Sequence, residues 1–489
     1  MGARTGKEYA ESLRDGRKVY ARGEFITDVT RHPAIRGVVQ TLAELYDLQN
    51  QPEYQDVLTH RSPISGERIS NSFLIAETWE EMERRVAAER FRAERTYGLM
   101  GRLPDFVHAM VADLAVIKDT LAPSGARFAE NAWRYYLECG QRDICLTHVL
   151  VDPQIDRSKG PAAQGSLRAV RETGAGVIVS GARMLSTLAP ASDELWVGPY
   201  MPRRKGEDDF ALCFAVPVAS DGLKFICREP YGDDRGIFDR PLTGRFDEGD
   251  AMAIFEDVLV PWERMFIYRD VDIYNSILPS MPGLAPLQAA IRSAAKLRFL
   301  TGLACAVART VGRSENSRYQ EMLGELVASV ELAEGIITAT AHQVLAEIQR
   351  KKAPAGQVGG AGDLFGGAPL GVIAIRAFFP QAIARAVETI RMTGSSSLVM
   401  TPAEADFGNS DEASALGQYL RGKDVSAERR VELMKLAWDA TSTEFAGRQM
   451  LYEWFYAGDP ILARVGHYNS RTREQCEAMV QGLLKRREH

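Results

Sequence analysis

A chain of 489 residues is too long for one simple core and predicts two or three packed regions. Its 45% hydrophobic and 25% charged content is that of a globular protein in water, and a net charge of −6 argues against a nucleic-acid binder, which usually shows a basic domain or stripe. No apolar run reaches the ~20 residues that span a bilayer. The polar start Met1-Gly2-Ala3-Arg4-Thr5-Gly6-Lys7 has no signal-peptide core, and six scattered cysteines without a CxxC pair argue against a disulfide framework. The expectation is a cytoplasmic protein with no membrane and no nucleic acid among its partners.

In chain order, residues 1–151 read as a mainly helical domain, helical from about 35 to 150. Thr78-Trp79-Glu80-Glu81 has the spacing of a capping box, followed by a Glu-, Arg- and Ala-rich run to Tyr97. Arg102-Leu103-Pro104-Asp105-Phe106 puts a cation just before a Leu-Pro pair, where helix cannot simply continue. Thr147-His148-Val149-Leu150-Val151-Asp152 is read as the end of an apolar helical run that opens into a Pro-broken loop at Pro153.

Residues 152–280 read as a β-domain, a small barrel or sandwich. Val177–Val179, Leu195–Val197, Phe210–Val216, Leu223–Cys227 and Ala253–Phe255 favour strands, and Gly, Pro and Asp separate them. Residues 281–489 return to helical periodicity near 285–313, 317–351, 367–393, 427–455 and 471–487, which predicts an antiparallel bundle. The glycine run over 357–367 is expected to be a connector. The class is therefore α+β: helices, then a β-domain, then a helical bundle.

Missing motifs narrow the chemistry. There is no GxGxxG after a strand, no GxxxxGK[ST], no HExxH or close His pair, and no GxSxG. A resident nicotinamide, a metal centre and a serine hydrolase are not expected; no metal site is assigned. Taken alone, Arg102 reads as a surface charge and His148 as a satisfied core side chain.

The two segments around Arg102 and His148 resemble the 4-hydroxyphenylacetate 3-monooxygenase family, the large oxygenase components of two-component flavin hydroxylases. The likeness runs from Arg4-Thr5-Gly6-Lys7-Glu8-Tyr9 to Leu451-Tyr452-Glu453 and Gly458-Asp459-Pro460. It implies an acyl-CoA dehydrogenase-like fold and a homotetramer or homodimer. It further implies FADH2 supplied by a separate NAD(P)H:flavin reductase, and O2 as co-substrate. A flavin C4a-hydroperoxide would hydroxylate a phenol ortho to its hydroxyl. Arg102 and His148 fall on the family's substrate-facing positions. A guanidinium stays charged when desolvated, and an imidazole gains or loses a proton near neutral pH.

Further site residues follow from the resemblance alone. Gln154, Ile155, Asp156 and Arg157 match a loop along the flavin, with His148 beside it. Gly181-Ala182-Arg183-Met184 matches a strand leading to Thr187, whose hydroxyl reaches the N5 edge of the ring. Phe445, Ala446, Gly447 and Arg448 match the segment that meets the dinucleotide, and Pro199-Tyr200-Met201 lies where the family has a mobile substrate loop, or equally reads as a plain turn. Phe106 departs from the pattern, because the hydroxyphenylacetate enzymes carry Tyr there; the ring remains and a hydrogen bond to the phenol is lost. Thr393-Gly394-Ser395-Ser396 reads either as a hydroxyl-rich cofactor loop or as a helix end.

Three other readings are weighed. A dehydrogenase of the same fold needs a carboxylate over the flavin, for which Glu388 is one candidate. A non-catalytic flavin-binding protein would not need Arg102, His148, Thr187 and Arg448 together. An iron–sulfur dehydratase acting on 4-hydroxybutyryl-CoA, more distantly similar, needs cysteines that the 97–102 segment lacks.

Overall fold

The computed structural model describes residues 2–156, 158–232, 235–353, 369–408 and 410–485. The chain divides into two compact units. The first holds residues 1–92, 102–235 and 242–288; the second holds 93–101, 236–241 and 289–489.

The first unit contains the expected strands, arranged in two open sheets. A six-stranded sheet has the order Glu24–Ile26, Lys18–Ala21, Leu223–Cys227, Ala251–Pro261, Gly176–Arg183, Arg168–Glu172. A four-stranded sheet has the order Met265–Tyr268, Leu212–Pro217, Glu194–Val197, Leu146–Val149. Neither closes on itself, so of the expected barrel or sandwich the barrel is excluded. Phe214 and Phe255 meet edge to face, at 6.2 Å between ring centroids, and so join the two sheets. Burial alternates along the start of Ala251–Pro261, as period-2 pleating requires. The alternation slips where a bulge between Phe255 and Val258 holds Asp257 at φ 53.

Helices Pro33–Leu48, Pro104–Val116 and Ala126–Arg142 belong to this unit. The helix Trp79–Arg95 starts there with the reciprocal cap: Glu81 N–H donates to Thr78 Oγ1 and Thr78 N–H to Glu81 Oε2, both at 3.2 Å.

The second unit is the helical bundle, built on Leu284–Thr310 from residue 289 on, Ser317–Lys352, Phe379–Gly394, Ala427–Thr441 and Glu444–Phe455. The expected 427–455 helix is two helices. Thr441-Ser442-Thr443 interrupts it, and the Thr443 hydroxyl caps the second by accepting from Ala446 N–H at 3.3 Å. Short hydroxyl side chains compete with the helical ladder in this way. The glycine run over 357–367 lies outside the described residues. Among the described residues one helical stretch, Leu370–Leu398, is long and apolar enough to cross a bilayer, which composition did not single out, and half of its most apolar window is buried inside the protein. It contains a π-turn at Ala374–Phe378, shortly before Pro380, whose missing N–H removes a ladder bond.

Candidate functional site

Arg102 sits where the sequence stops one element and starts the next. Pro104 occupies the first turn of Pro104–Val116, where its fixed φ suits a helix start, and Leu103 is extended at φ −49, ψ 146. Arg102 lies in the turn just before it, its N–H donating to Glu248 Oε1 at 2.6 Å. Its guanidinium lies over the Phe106 ring, 4.4 Å from the centroid, one helical turn on.

His148 belongs to a strand, which corrects the helical reading. The preceding helix Ala126–Arg142 ends at Asp143 in the left-handed region, φ 49. Ile144, Thr147, Val149 and Val151 then favour extended chain, and Leu146–Val149 pairs in parallel with Glu194–Val197 in the register His148↔Trp196. A strand sends alternate side chains to opposite faces, which aims the imidazole at the Phe106 ring, 5.5 Å between centroids. Arg102, Phe106 and His148 thus form one cluster from two elements.

Only 5% of His148 is exposed, and neither ring nitrogen has a hydrogen-bond partner among the described residues. Buried polar atoms are nearly always paired, so these two nitrogens call for a partner that a ligand could supply. Burial, and secondarily the Arg102 charge, hold the imidazole well below its ordinary value. His148 is neutral at working pH, with one nitrogen able to accept a proton. A limb in kcat/KM caused by protonation of His148 is expected well below pH ~6.5; a limb at the ordinary imidazole value, lost in His148→Gln, would contradict this environment.

The chain beyond His148 is tied down by buried charge. Asp152 bridges Arg183 and Arg203, each at 2.7 Å. Burial alone would raise its carboxyl, but Arg183 and Arg203 hold it below the ordinary range. Arg183 also donates to Leu150 O at 2.7 Å, and Met184 N–H to Val151 O at 2.9 Å. The Gly181–Met184 segment is thereby fixed to the loop that follows His148. Pro199 is buried and Tyr200 half-buried, and both follow Glu194–Val197 at the end of the sheet where residues 150–152 leave it.

Gln154 and Ile155 are exposed, Ile155 to 72%, and Asp156 turns the loop by accepting from Ser158 N–H and Oγ. Arg157 lies outside the described residues. Thr187 is buried: its carbonyl accepts from Thr147 Oγ1, and its own Oγ1 donates to Asp250 Oδ1 at 2.6 Å. Leu185 and Leu188 flank it at φ 63 and 69, a backbone state costly for leucine that tends to mark functional sites.

The remaining segment lies in the second unit. Phe445–Arg448 forms the first turn of Glu444–Phe455, with Phe445 and Ala446 buried, Gly447 exposed and Arg448 half-buried over the Tyr452 ring. A helix N-terminus with an adjoining arginine suits a phosphate group. Further along the same helix, Glu453 pairs with Arg292 and Lys296, while Gln449 and Tyr452 donate to the carbonyls of Leu99 and Gly101 at 2.9 Å. Burial would raise Glu453, but Arg292 and Lys296 bring it down to about 2. Glu388 is exposed and paired with Arg385, a poor setting for a buried base. Thr393–Ser396 is a helix end, with Ser395 at φ 51 closing Phe379–Gly394.

Sequence reading missed Asp152, Arg203, Arg228, Asp247, Glu248 and Asp250. The only local sign was the acidic run Asp247-Glu248-Gly249-Asp250 between two apolar stretches.

Comparison with known proteins places this geometry. The models for the N-terminal and C-terminal parts of 4-hydroxyphenylacetate 3-hydroxylase match residues 5–267 and 283–485. The chain is 34% identical to the 4-hydroxyphenylacetate 3-monooxygenase oxygenase component of Geobacillus sp. (strain PA-9), over 99% of this chain and 97% of that one. It is 35% identical to the oxygenase component of a 4-nitrophenol 2-monooxygenase from Rhodococcus sp., over 94% and 87%. A crystal structure of such an oxygenase component with FAD and 4-hydroxyphenylacetate superposes with a TM-score of 0.88, at 34% identity and coverage of 99% and 98%. The fold is acyl-CoA dehydrogenase-like, and the chain belongs to the 4-hydroxyphenylacetate 3-hydroxylase family of flavin-dependent aromatic monooxygenases.

Proposed function

We propose that this FADH2-dependent monooxygenase hydroxylates a phenol held between Arg102 and His148, ortho to its existing hydroxyl. The observation that carries the assignment is the buried His148 imidazole with two unpartnered nitrogens, beside a guanidinium stacked on Phe106. A free phenol ionises near ~10, and an adjacent guanidinium favours the phenolate. Neutral His148 accepts the phenol O–H as a hydrogen bond, Arg102 stabilises the charge that develops on the oxygen, and electron density rises at the ortho carbon.

Reduced flavin, when bound, would supply the two electrons that activate O2, one atom of which enters the phenol while the other leaves as water. Thr187 is assigned to its N5 edge, Gln154, Ile155, Asp156 and Arg157 to its flank, and Phe445, Ala446, Gly447 and Arg448 to its pyrophosphate. The capped helix start, the exposed Ile155 and the strained backbone around Thr187 support these assignments. As an oxygenase component the protein works with a separate reductase, so the chain alone is expected to oxidise NADH negligibly and to bind FADH2 more tightly than FAD. Rapid NADH consumption without a reductase would refute the two-component reading.

Phe106 directs the choice of phenol. Its ring lines the cluster without a hydroxyl, so we assign a larger or more lipophilic phenol than 4-hydroxyphenylacetate, and a relative named for 4-nitrophenol fits such variation. The loop with Pro199 and Tyr200 is assigned to the same substrate. A homotetramer or homodimer in the cytoplasm completes the reading, supported by six free thiols and by the exposed apolar residues Ile461, Leu462 and Met479. The test is ultraviolet difference spectroscopy of bound phenols. Wild type is expected to show phenolate absorption below the free phenol's own pKa, and Arg102→Ala to lose it; phenolate in both would remove Arg102 from this role.

A further inference from the structure

We propose that Asp250 fixes the polarity of the Thr187 hydroxyl and thereby makes this protein select reduced over oxidised flavin, an inference that rests on the assignment of Thr187 to the flavin N5 edge. Thr187 Oγ1 donates to Asp250 Oδ1 at 2.6 Å. The other Asp250 oxygen accepts from Arg228 Nε at 3.0 Å, and Arg228 also pairs with Asp247. A carboxylate salt-bridged to a guanidinium only accepts hydrogen bonds. The single hydroxyl proton of Thr187 is therefore committed to Asp250, and Oγ1 offers its other partners lone pairs alone.

The backbone holds this arrangement. Ser186 N–H donates to Ala251 O at 2.8 Å and Leu188 N–H to Gly249 O at 3.1 Å, so Thr187 is stapled on both sides to the segment that carries Asp250. Gly249 supplies the turn at φ 62. The same acidic loop accepts the Arg102 N–H through Glu248.

A hydroxyl oxygen restricted to accepting matches an N–H and opposes a lone pair. N5 of reduced flavin carries a proton and donates; N5 of oxidised flavin accepts. Asp250 thus favours the reduced state, and an opposed buried pair is worth about tenfold in affinity. In Asp250→Asn the amide oxygen takes the Arg228 bond and its NH2 faces Thr187, so the hydroxyl must accept there and turn its proton outward.

Dissociation constants of FAD and FADH2 are to be measured anaerobically for folded wild type, Asp250→Asn, Thr187→Val and Thr187→Ser. The ratio of oxidised to reduced constants is expected to fall about tenfold in Asp250→Asn and Thr187→Val and to persist in Thr187→Ser. The midpoint potential of bound flavin would drop by about 30 mV in the first two. Weaker binding of both forms with an unchanged ratio in Asp250→Asn would make the residue merely structural and overturn the proposal. If Asp250→Asn does not fold, an unchanged ratio in Thr187→Val overturns it equally, as does a ratio lost in Thr187→Ser. Wild type that binds neither form would refute the flavin assignment itself, whereas wild type that prefers FADH2 beside variants that keep that preference would refute only the role of Asp250.

Discussion

His148→Ala is expected to lower the yield of hydroxylated phenol by ~10²–10⁴-fold while reduced flavin continues to consume oxygen and release H2O2. The imidazole is assigned to the phenol, so its loss should leave oxygen activation running and strip it of an electron-rich target. Its burial, and its two nitrogens without a partner among the described residues, make the effect large. Arg102→Ala should act in the same direction, with the phenol also bound more weakly, since a hydrogen bond to a charged group is worth ~1.5–3 kcal/mol. Product by mass spectrometry and peroxide by a coupled assay, measured on the same sample, separate the two outcomes. Wild-type yield from either variant would remove that residue from the chemistry.

Phe106→Tyr is expected to reduce kcat/KM for the natural phenol by ~5–100-fold and to raise it for 4-hydroxyphenylacetate. The added hydroxyl enters a cluster whose neighbours are the Arg102 guanidinium and the His148 ring. Beside a phenol that already uses both, that hydroxyl is left without a partner, at a cost of ~1–3 kcal/mol. It also removes apolar surface worth ~25 cal/mol per Å² to a lipophilic substrate. With 4-hydroxyphenylacetate the same hydroxyl would supply the contact that the family resemblance assigns to a Tyr at this position. The comparison is kcat/KM for both phenols in wild type and variant, side by side. Efficient wild-type turnover of 4-hydroxyphenylacetate, unchanged by the substitution, would show that Phe106 does not set specificity.

The order of elements was legible because each rests on local periodicity: the Thr78 cap, the strands from Val177 to Phe255 and the long bundle helices need no distant partner to be recognised. His148 was misread as helical because a short apolar run fits either period, and only the β-branched density from Ile144 to Val151 marks a strand. The break at Thr443 was legible in principle from three consecutive hydroxyl residues. What sequence could not disclose is long-range pairing. Glu248 holds an arginine 146 positions away, and Asp250 accepts a hydrogen bond from a threonine hydroxyl 63 positions away. Nothing in the local pattern of Asp247-Glu248-Gly249-Asp250 distinguishes such a clamp from a solvated turn.

The most direct test of the central claim is turnover under isotopically labelled dioxygen, with FAD, NADH, a generic flavin reductase and a panel of phenols. The account predicts a catechol-type product carrying one labelled oxygen atom, formed only when the reductase is present and lost in His148→Ala. A folded, FADH2-binding enzyme that yields no labelled product from any phenol, or a product whose new oxygen comes from water, would contradict it.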